Sequence, residues 1–362
     1  MGTASTMAIT TEALGLMIPN SACAPAVSAD RKRIAESTGK TAVKIANENL
    51  KPSVFLTEKN FLNALMVLSS IGGSTNGLVH LTAMAGRLGI KIDLSNFDDM
   101  TKNLPMIVDL KPSGTGYMED LYKAGGSQRI FYELRDFLYL EAKSVNGTSL
   151  GEEIKNSAKW SQNIITDKSN PVFNAGSIAV LKGSLAPNSA IIKQSAATKS
   201  LLNHQGRAVV FEGLEDLANR IDRDDLDVTK DDVLVLKSIG PKGGPGMPEA
   251  GLIPIPKKLA RQGVKDMVRI SDGRMSGTAS GTIILHVTPE SYENGPLAIV
   301  QNGDIIKLDV PNRKIDLMIS EKEIAERIKK KLKNNIKRRG YNKIYMEHVT
   351  QADKGVDFDF LI

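Results

Sequence analysis

Residues 266–287 read DMVRISDGRMSGTASGTIILHV, and this stretch decides how the second half of the chain is expected to fold. Two short apolar runs, residues 266–270 and 282–287, flank a loop with three glycines and three serines. Apolar runs of this length between turn residues predict strands, and glycine lets the backbone between them approach a ligand closely. The loop also presents the hydroxyl of Ser276, which no local secondary structure requires. The pattern therefore predicts two strands joined by a ligand-facing loop.

A second loop lies just upstream, at residues 240–249, with the sequence GPKGGPGMPE. Its density of proline and glycine excludes a helix, and it ends on the carboxylate of Glu249. Two rigid loops, one offering a hydroxyl and one a carboxylate, suggest a metal-assisted active site; ordinary connections between strands are the alternative. Neither loop has the glycine pattern of a dinucleotide-binding fold or the Gly-Lys-Ser/Thr ending of a P-loop. Nucleotide binding is therefore not predicted.

The residue pattern changes near position 170. The first 150 residues favour helices, including one over the apolar stripe at 61–68, and the polar segment 156–174 is the predicted junction. The first part reads as the end of a domain whose beginning is absent. After the junction, short β-branched runs recur between turns, as in a barrel or sandwich. The predicted strands are residues 178–181, 190–193, 207–211, 232–236, 267–270, 282–287, 297–300, 305–310 and 315–319.

The charge balance points to one basic helix. The net charge is +6, from 47 basic and 41 acidic residues, and much of the excess lies between residues 329 and 339. Ser320 and Glu323 form a capping-box pattern at the start of this segment. Apolar side chains then recur at four-residue spacing, at Ile324, Ile328, Leu332 and Ile336. The segment predicts an amphipathic helix with a solvated basic face. Nucleic-acid binding is the alternative, but no aromatic interleaving or known module supports it.

Composition excludes several classes of protein. The chain has 362 residues, of which 41% are hydrophobic and 24% charged, which is typical of a soluble globular protein with room for two domains. Its single cysteine, Cys23, excludes a disulfide framework or a cysteine-rich metal site within the chain. No apolar run approaches the length of a membrane span, and no basic region opens the chain as in a signal peptide. We expect a cytoplasmic protein without membrane or nucleic-acid partners.

With these motifs in place, the chain resembles the dihydroxy-acid dehydratase and 6-phosphogluconate dehydratase family, specifically its sugar-acid (aldonate) branch. The resemblance spans essentially the whole chain and rests on motifs that follow one another in order. These are residues 1–7 (MGTASTM), 72–76 (GGSTN), 111–114 (KPSG), 183–187 (GSLAP), 206–212 (GRAVVFE), 240–249, 272–277 (DGRMSG) and the tail from 339 to 353.

The resemblance implies an α/β fold. Residues 1–165 would be the remainder of an N-terminal α/β domain, and residues 166–362 a swivelling C-terminal β-barrel (β/β/α) domain with closing helices. It also implies a homodimer with the active site at the domain interface. The implied reaction removes water from a 2,3-dihydroxy acid and gives a 2-keto-3-deoxy acid. The implied cofactors are Mg²⁺ and an iron–sulfur cluster, of the 2Fe–2S or 4Fe–4S type.

The resemblance also assigns individual residues. Ser276 corresponds to the base that removes the C2 proton, acting as an alkoxide stabilised near a metal, since a free serine hydroxyl is too weak a base. Glu249 corresponds to a metal-binding glutamate; without the resemblance it reads as an exposed loop carboxylate. Arg274 is either a clamp for the substrate carboxylate or the partner of Asp272 in an ion pair that braces the loop.

The chain departs from the family pattern at its start. The cluster cysteines of the family precede the segment that matches residues 1–7, and Cys23 aligns with none of them. The expectation is therefore a chain truncated at its N-terminus, which keeps the base and one metal ligand but cannot assemble the cluster. Three explanations stay open: an incomplete gene model, a split enzyme whose other chain supplies the cluster, or a non-catalytic remnant.

The substrate is expected to be an aldonate such as arabinonate, xylonate or gluconate. This expectation rests on the similarity of the Ser276 loop and of residues 3–7 to the sugar-acid branch. The alternative is 2,3-dihydroxy-isovalerate, a precursor in branched-chain amino-acid synthesis.

Overall fold

A computed structural model describes residues 1–157, 162–331 and 339–361. By its internal contacts the chain divides into two compact units, Met1–Ser177 and Ile178–Ile362. The boundary expected from sequence, between residues 165 and 166, lies a little earlier, inside the polar segment 156–174. We describe each unit by itself.

The described part of the first unit is built from helices. Helix α4 is its central element, because most of its residues are buried, and α1 and α5 pack against it. Helix α4 contains the apolar stripe at 61–68 that predicted it. The helices are α1 Thr3–Ala13, α2 Ala29–Asn47, α3 Pro52–Phe55, α4 Glu58–Ser70, α5 Asn76–Gly86, α6 Leu94–Thr101, α7 Met118–Lys123, α8 Gly126–Glu133 and α9 Leu150–Ile154.

The second unit contains an eight-stranded mixed sheet in the order β1-β2-β6-β5-β4-β3-β7-β8. The central pairs β3–β4, β4–β5 and β5–β6 are parallel, whereas the outer pairs are antiparallel. A further bridge joins Lys182, next to β1, to Lys314 in β8, so the sheet is nearly closed. The strands are β1 Ala179–Leu181, β2 Ser189–Ile192, β3 Asn203–Phe211, β4 Val233–Leu236, β5 Arg269–Ser271, β6 Ile283–Thr288, β7 Ile305–Asp309 and β8 Lys314–Leu317.

Side chains on alternate positions of these strands build two separate cores. Val210 of β3 and Val235 of β4 lie in the cluster inside the curved sheet. Their neighbours Val209 and Leu234 lie in a second, outer cluster. That outer cluster also contains side chains of helices α10 (Leu214–Arg220) and α11 (Lys257–Arg261). The alternation explains why residues 208–211 of β3 and all four residues of β4 are apolar and buried.

One predicted strand is wrong. Residues 297–300 were expected to form a strand, but Pro296–Ile299 is a short 3-10 helix. Proline at its first position fixes a helical φ angle and offers no N–H for a sheet ladder, so a β-branched run alone misleads here. The side chains of this turn nevertheless enter the interior cluster.

In the described residues after the sheet, the α-helices are α12 (Glu321–Lys330) and α13 (Tyr341–His348). Helix α12 begins where the capping pattern predicted, since the Ser320 hydroxyl accepts a hydrogen bond from the Glu323 N–H at 3.1 Å. Ile324 and Ile328 pack against the interior cluster. Leu332, Ile336 and three of the basic residues, Lys333, Lys337 and Arg338, lie outside the described residues. Within the described ranges, no helix has the length and hydropathy to span a membrane.

Candidate functional site

The loop after β5 is anchored at its base by a buried carboxylate. Asp272 is fully buried and accepts hydrogen bonds from the backbone N–H groups of Ser238, Ile239 and Ser291, at 3.2, 3.0 and 2.8 Å. Burial raises the pKa of Asp272, and the backbone donors oppose that rise. Because every one of these donors is a main-chain group, Asp272 fixes the loop to two neighbouring segments.

A second buried carboxylate anchors the loop at 240–249. Glu290 accepts hydrogen bonds from the N–H groups of Lys242 (2.9 Å) and Gly243 (2.9 Å) and from the Gln351 amide (2.7 Å). Burial raises the pKa of Glu290, as the charge of Asp272 also does. A Cβ on Gly240 would lie 2.7 Å from a Glu290 carboxylate oxygen. Glycine at this position is therefore what lets the loop close around Glu290.

The tail of the chain also holds this loop. The Tyr345 hydroxyl donates a hydrogen bond to the Pro241 carbonyl and accepts one from the Gly246 N–H, both at 2.8 Å. Burial raises the pKa of Tyr345 above its usual range. Sequence reasoning missed Glu290, Gln351 and Tyr345 as loop supports. The sequence did offer one signal for such a support: Glu290 is an acidic residue that lies between two apolar runs.

Arg274 joins the two loops. Its Nε donates to the Met247 carbonyl, and its own carbonyl accepts a hydrogen bond from Gly251 N–H at 2.8 Å. The expected alternative, an ion pair between Arg274 and Asp272, is wrong: in the described residues Asp272 is satisfied by backbone donors instead. Glu249 lies between the two residues that Arg274 contacts, on an exposed part of the loop. The structure thus brings the segments that carry Glu249 and Arg274 together.

Ser276 lies two residues beyond Arg274, at the open end of its loop. It is half-buried, and its hydroxyl lies 3.0 Å from the Thr278 hydroxyl. The Thr278 N–H donates to the same oxygen over 3.4 Å. Below it, Met275 packs with Ile283, Leu285 and Ala279 in a small apolar cluster. The loop is therefore fixed on both sides of Ser276, while the hydroxyl itself stays accessible.

Two motifs of the first unit also meet in space. The Thr3 hydroxyl lies 3.0 Å from the Ser74 hydroxyl and accepts a hydrogen bond from the Asn76 amide at 3.0 Å. The Thr6 hydroxyl accepts one from the Ser74 N–H, also at 3.0 Å. Residues 1–7 and 72–76 thus form one polar cluster, although they are far apart in sequence.

The described residues do not by themselves form a metal centre. In the described ranges no group of three or more His, Cys, Asp or Glu side chains converges as metal ligands do. Cys23 is buried, and burial raises the pKa of its thiol to about 12, so the thiolate that a cluster requires is disfavoured. Glu249 offers one carboxylate, whereas hard cations take several oxygen ligands. Neither an iron–sulfur cluster nor a complete Mg²⁺ site fits these residues alone.

Comparison with known proteins gives matches along nearly the whole chain. Residues 1–153 match the model of the dihydroxy-acid/6-phosphogluconate dehydratase N-terminal domain, and residues 163–356 match that of the C-terminal domain. An L-arabinonate dehydratase of Rhizobium leguminosarum bv. trifolii is 44% identical over 97% of this chain and 61% of the relative.

Two further relatives carry different names. The 6-deoxy-6-sulfo-D-gluconate dehydratase of Pseudomonas putida is 40% identical over 100% of this chain and 63% of its own length. A dihydroxy-acid dehydratase of Methanococcoides burtonii is 39% identical over 98% of this chain and 64% of its own length. The chain thus spans somewhat less than two thirds of the length of these curated relatives.

Proposed function

Because the chain belongs to the dihydroxy-acid/6-phosphogluconate dehydratase family, we propose that it dehydrates a 2,3-dihydroxy sugar acid to a 2-keto-3-deoxy acid. The observation that carries this proposal is the placement of Ser276. Its hydroxyl is accessible at the end of a loop whose base is fixed by Asp272 and whose neighbour is fixed by Glu290. The names of two sugar-acid dehydratases among the relatives support the choice of substrate class.

The proposed reaction breaks the C2–H and C3–O bonds. Ser276, as its alkoxide, accepts the C2 proton, and the C3 hydroxyl takes up a proton from solvent and leaves as water. The resulting enol tautomerises to the 2-keto-3-deoxy acid, and loss of the proton from Ser276 to solvent restores the base. The C2 proton is weakly acidic and a serine hydroxyl is a weak base, so Ser276 needs positive charge nearby to act. Rigid placement of the loop also holds the hydroxyl at one position relative to the bound acid.

Glu249 and Arg274 have secondary roles in the proposal. Glu249 would contribute one oxygen ligand to a bound Mg²⁺, and Arg274 would contact the substrate carboxylate. When bound, Mg²⁺ stabilises negative charge that develops on substrate oxygens. The described residues provide neither the other Mg²⁺ ligands nor those of an iron–sulfur cluster, so no step of the reaction is assigned to either group. A homodimer in the cytoplasm is also part of the proposal.

A second candidate substrate is 2,3-dihydroxy-isovalerate. It is favoured by the relatives named dihydroxy-acid dehydratase, which are 37–39% identical to this chain. The sugar-acid dehydratases reach 40–44% identity, which is why we prefer an aldonate.

A substrate panel tests the proposal. The native protein, purified anaerobically from its source, is supplied with Mg²⁺ and with L-arabinonate, D-xylonate, D-gluconate or 2,3-dihydroxy-isovalerate, and 2-keto acid formation is followed. We expect turnover of at least one aldonate at a kcat/KM well above that of the branched acid. Turnover of 2,3-dihydroxy-isovalerate alone would show that the substrate is the branched acid and not a sugar acid. Failure to bind or convert any of the four acids would contradict the proposed function. Intact mass, iron and sulfide are measured on the same sample.

A further inference from the structure

A buried lysine near the Ser276 loop has no partner. Lys193 follows strand β2 and is only 3% exposed. Its ammonium nitrogen has no hydrogen-bond partner in the described residues, and it forms no ion pair there. Placing a charged group in a protein interior is unfavourable unless an opposite charge or hydrogen bonds compensate it. Within the described residues, the ammonium of Lys193 therefore has neither a counter-charge nor a hydrogen-bond acceptor.

A second lysine of the same unit shows the usual arrangement. Lys237 follows strand β4 and is also only 3% exposed. Its ammonium forms an ion pair with the Glu212 carboxylate at 2.6 Å. The two lysines have the same exposure and each follows a strand of one sheet, but only Lys237 has its counter-charge in the described chain.

Strand geometry places Lys193 on the face that carries the Ser276 loop. Ala190 and Ile192 of β2 enter the interior cluster, so Ile191 and Lys193 project to the opposite face. Ile191 is paired in register with Leu285 of β6. Leu285 belongs to the small apolar cluster with Met275, the residue before Ser276.

Two hydrogen bonds fix the segment after Lys193 to the segment after Ser276. The Gly281 N–H donates to the Ala196 carbonyl at 3.0 Å, and the Thr198 N–H donates to the Thr282 hydroxyl at 3.1 Å. The loop that presents Ser276 and the turn that follows Lys193 are therefore held side by side in one unit.

We propose that the ammonium of Lys193 binds the carboxylate of the acid on which Ser276 acts. This inference rests on the proposed function, because it takes the same site and assigns it a binding group. The carboxylate of a sugar acid would supply the negatively charged partner that the Lys193 ammonium does not have in the described residues. It would also place its C2 next to the carboxylate-binding group and so close to the Ser276 loop.

The electrostatics of Lys193 are consistent with a missing anion. Desolvation lowers its pKa to about 8, and no neighbouring charge contributes to that shift. The ammonium is thus protonated at neutral pH without help from an internal acid. A bound carboxylate would supply the opposite charge and raise this pKa again.

The first test separates charge recognition from other roles of Lys193. Kinetics are compared for L-arabinonate and for its uncharged amide, with wild type, Lys193→Met, Lys193→Arg and the matched control Lys237→Met. We expect Lys193→Met to raise the KM for L-arabinonate at least about tenfold, the range of a hydrogen bond to a charged group, with little effect on the amide. Lys193→Arg should restore most of the binding, and Lys237→Met should leave it unchanged. An unchanged KM for L-arabinonate in folded Lys193→Met would overturn the inference, as would equal losses for the acid and the amide.

The second test uses the wild-type protein and does not depend on turnover or on a stable variant. The pKa of the Lys193 ammonium is followed by NMR of isotope-labelled lysine side chains, with or without L-arabinonate or glycolate. We expect either carboxylate to raise the pKa of Lys193 and to leave the signal of Lys237 unchanged. A rise with glycolate, without turnover of any aldonate, would support the carboxylate site and contradict the proposed function. Turnover of aldonates with no change at Lys193 would support the proposed function and contradict the carboxylate site.

Discussion

The two ends of the Ser276 loop differ in how completely their polar groups are satisfied. At the base, Asp272 is fully buried and accepts three backbone hydrogen bonds. At the open end, the Ser276 hydroxyl is accessible and interacts with Thr278, and the nearby Lys193 is buried without a partner in the described residues. Saturated groups stabilise the loop, whereas unsaturated groups remain available for a ligand. Asp272 thus stabilises the loop, whereas the hydroxyl of Ser276 is the candidate catalytic group.

Replacing the accessible hydroxyl should give the largest effect. In the native protein, Ser276→Ala should lower kcat by about 10³-fold or more, since a positioned base contributes on the order of 10²–10⁴-fold. The midpoint of thermal unfolding should change little, because both hydrogen bonds that this hydroxyl makes with Thr278 are exposed to solvent. Steady-state kinetics and calorimetry measure both quantities.

Ser280→Ala is the matched control for this change. Ser280 is an exposed serine of the same loop, and its loss should leave both kcat and the unfolding midpoint unchanged. Near-normal turnover by Ser276→Ala would remove Ser276 from the mechanism.

Removing the buried carboxylate should act on stability instead. Asp272→Ala leaves three main-chain N–H groups without their acceptor, two of them at Ser238 and Ile239, so the free energy of unfolding should fall by about 4 kcal/mol. Urea unfolding followed by circular dichroism measures this change. Asp225, an exposed acid paired with Arg223, provides the control, and Asp225→Ala should have no measurable effect. A stable Asp272→Ala protein would show that the loop base does not depend on this residue.

The unpaired lysine should be visible in the pH dependence of stability. Burial lowers the pKa of Lys193 from 10.5 to about 8, so between these values the unfolded chain binds more protons than the folded one. Stability from this group is present above pH 10.5 and is lost as the pH falls through about 8. Between pH 7 and pH 10, wild type should therefore gain about 2 kcal/mol relative to Lys193→Met. Urea unfolding at both pH values tests this, and parallel curves for the two proteins would mean that Lys193 is not held in a desolvated site.

The sequence predicted the elements that depend on local pattern. Helix α4 follows from its apolar stripe, the start of α12 follows from Ser320, and most strands of the second unit follow from β-branched runs between turns. The family motifs also identified the loop that carries Ser276. Each of these signals lies within a few neighbouring residues.

The parts that sequence missed depend on the register between distant segments. Lys193 reads as the end of an ordinary strand, and only the pairing of β2 with β6 places it on the face of the Ser276 loop. Glu290 and Tyr345 come from elsewhere in the chain and meet the 240–249 loop only after folding. The 3-10 helix at Pro296–Ile299 was missed for another reason, since tertiary packing and proline outweighed the β propensity of its apolar residues.

The smallest effect should come from the residue that orients the hydroxyl. Thr278→Val keeps the shape of the side chain and removes the oxygen that lies 3.0 Å from the Ser276 hydroxyl. One neutral hydrogen bond corresponds to about a threefold to tenfold change, so kcat should fall by that factor with KM and the unfolding midpoint unchanged. The Thr278 N–H still reaches the Ser276 oxygen in this variant, which is why the loss should be partial. A loss as large as that of Ser276→Ala, measured in the same assay, would instead show that the Thr278 hydroxyl is the group that reacts with the substrate.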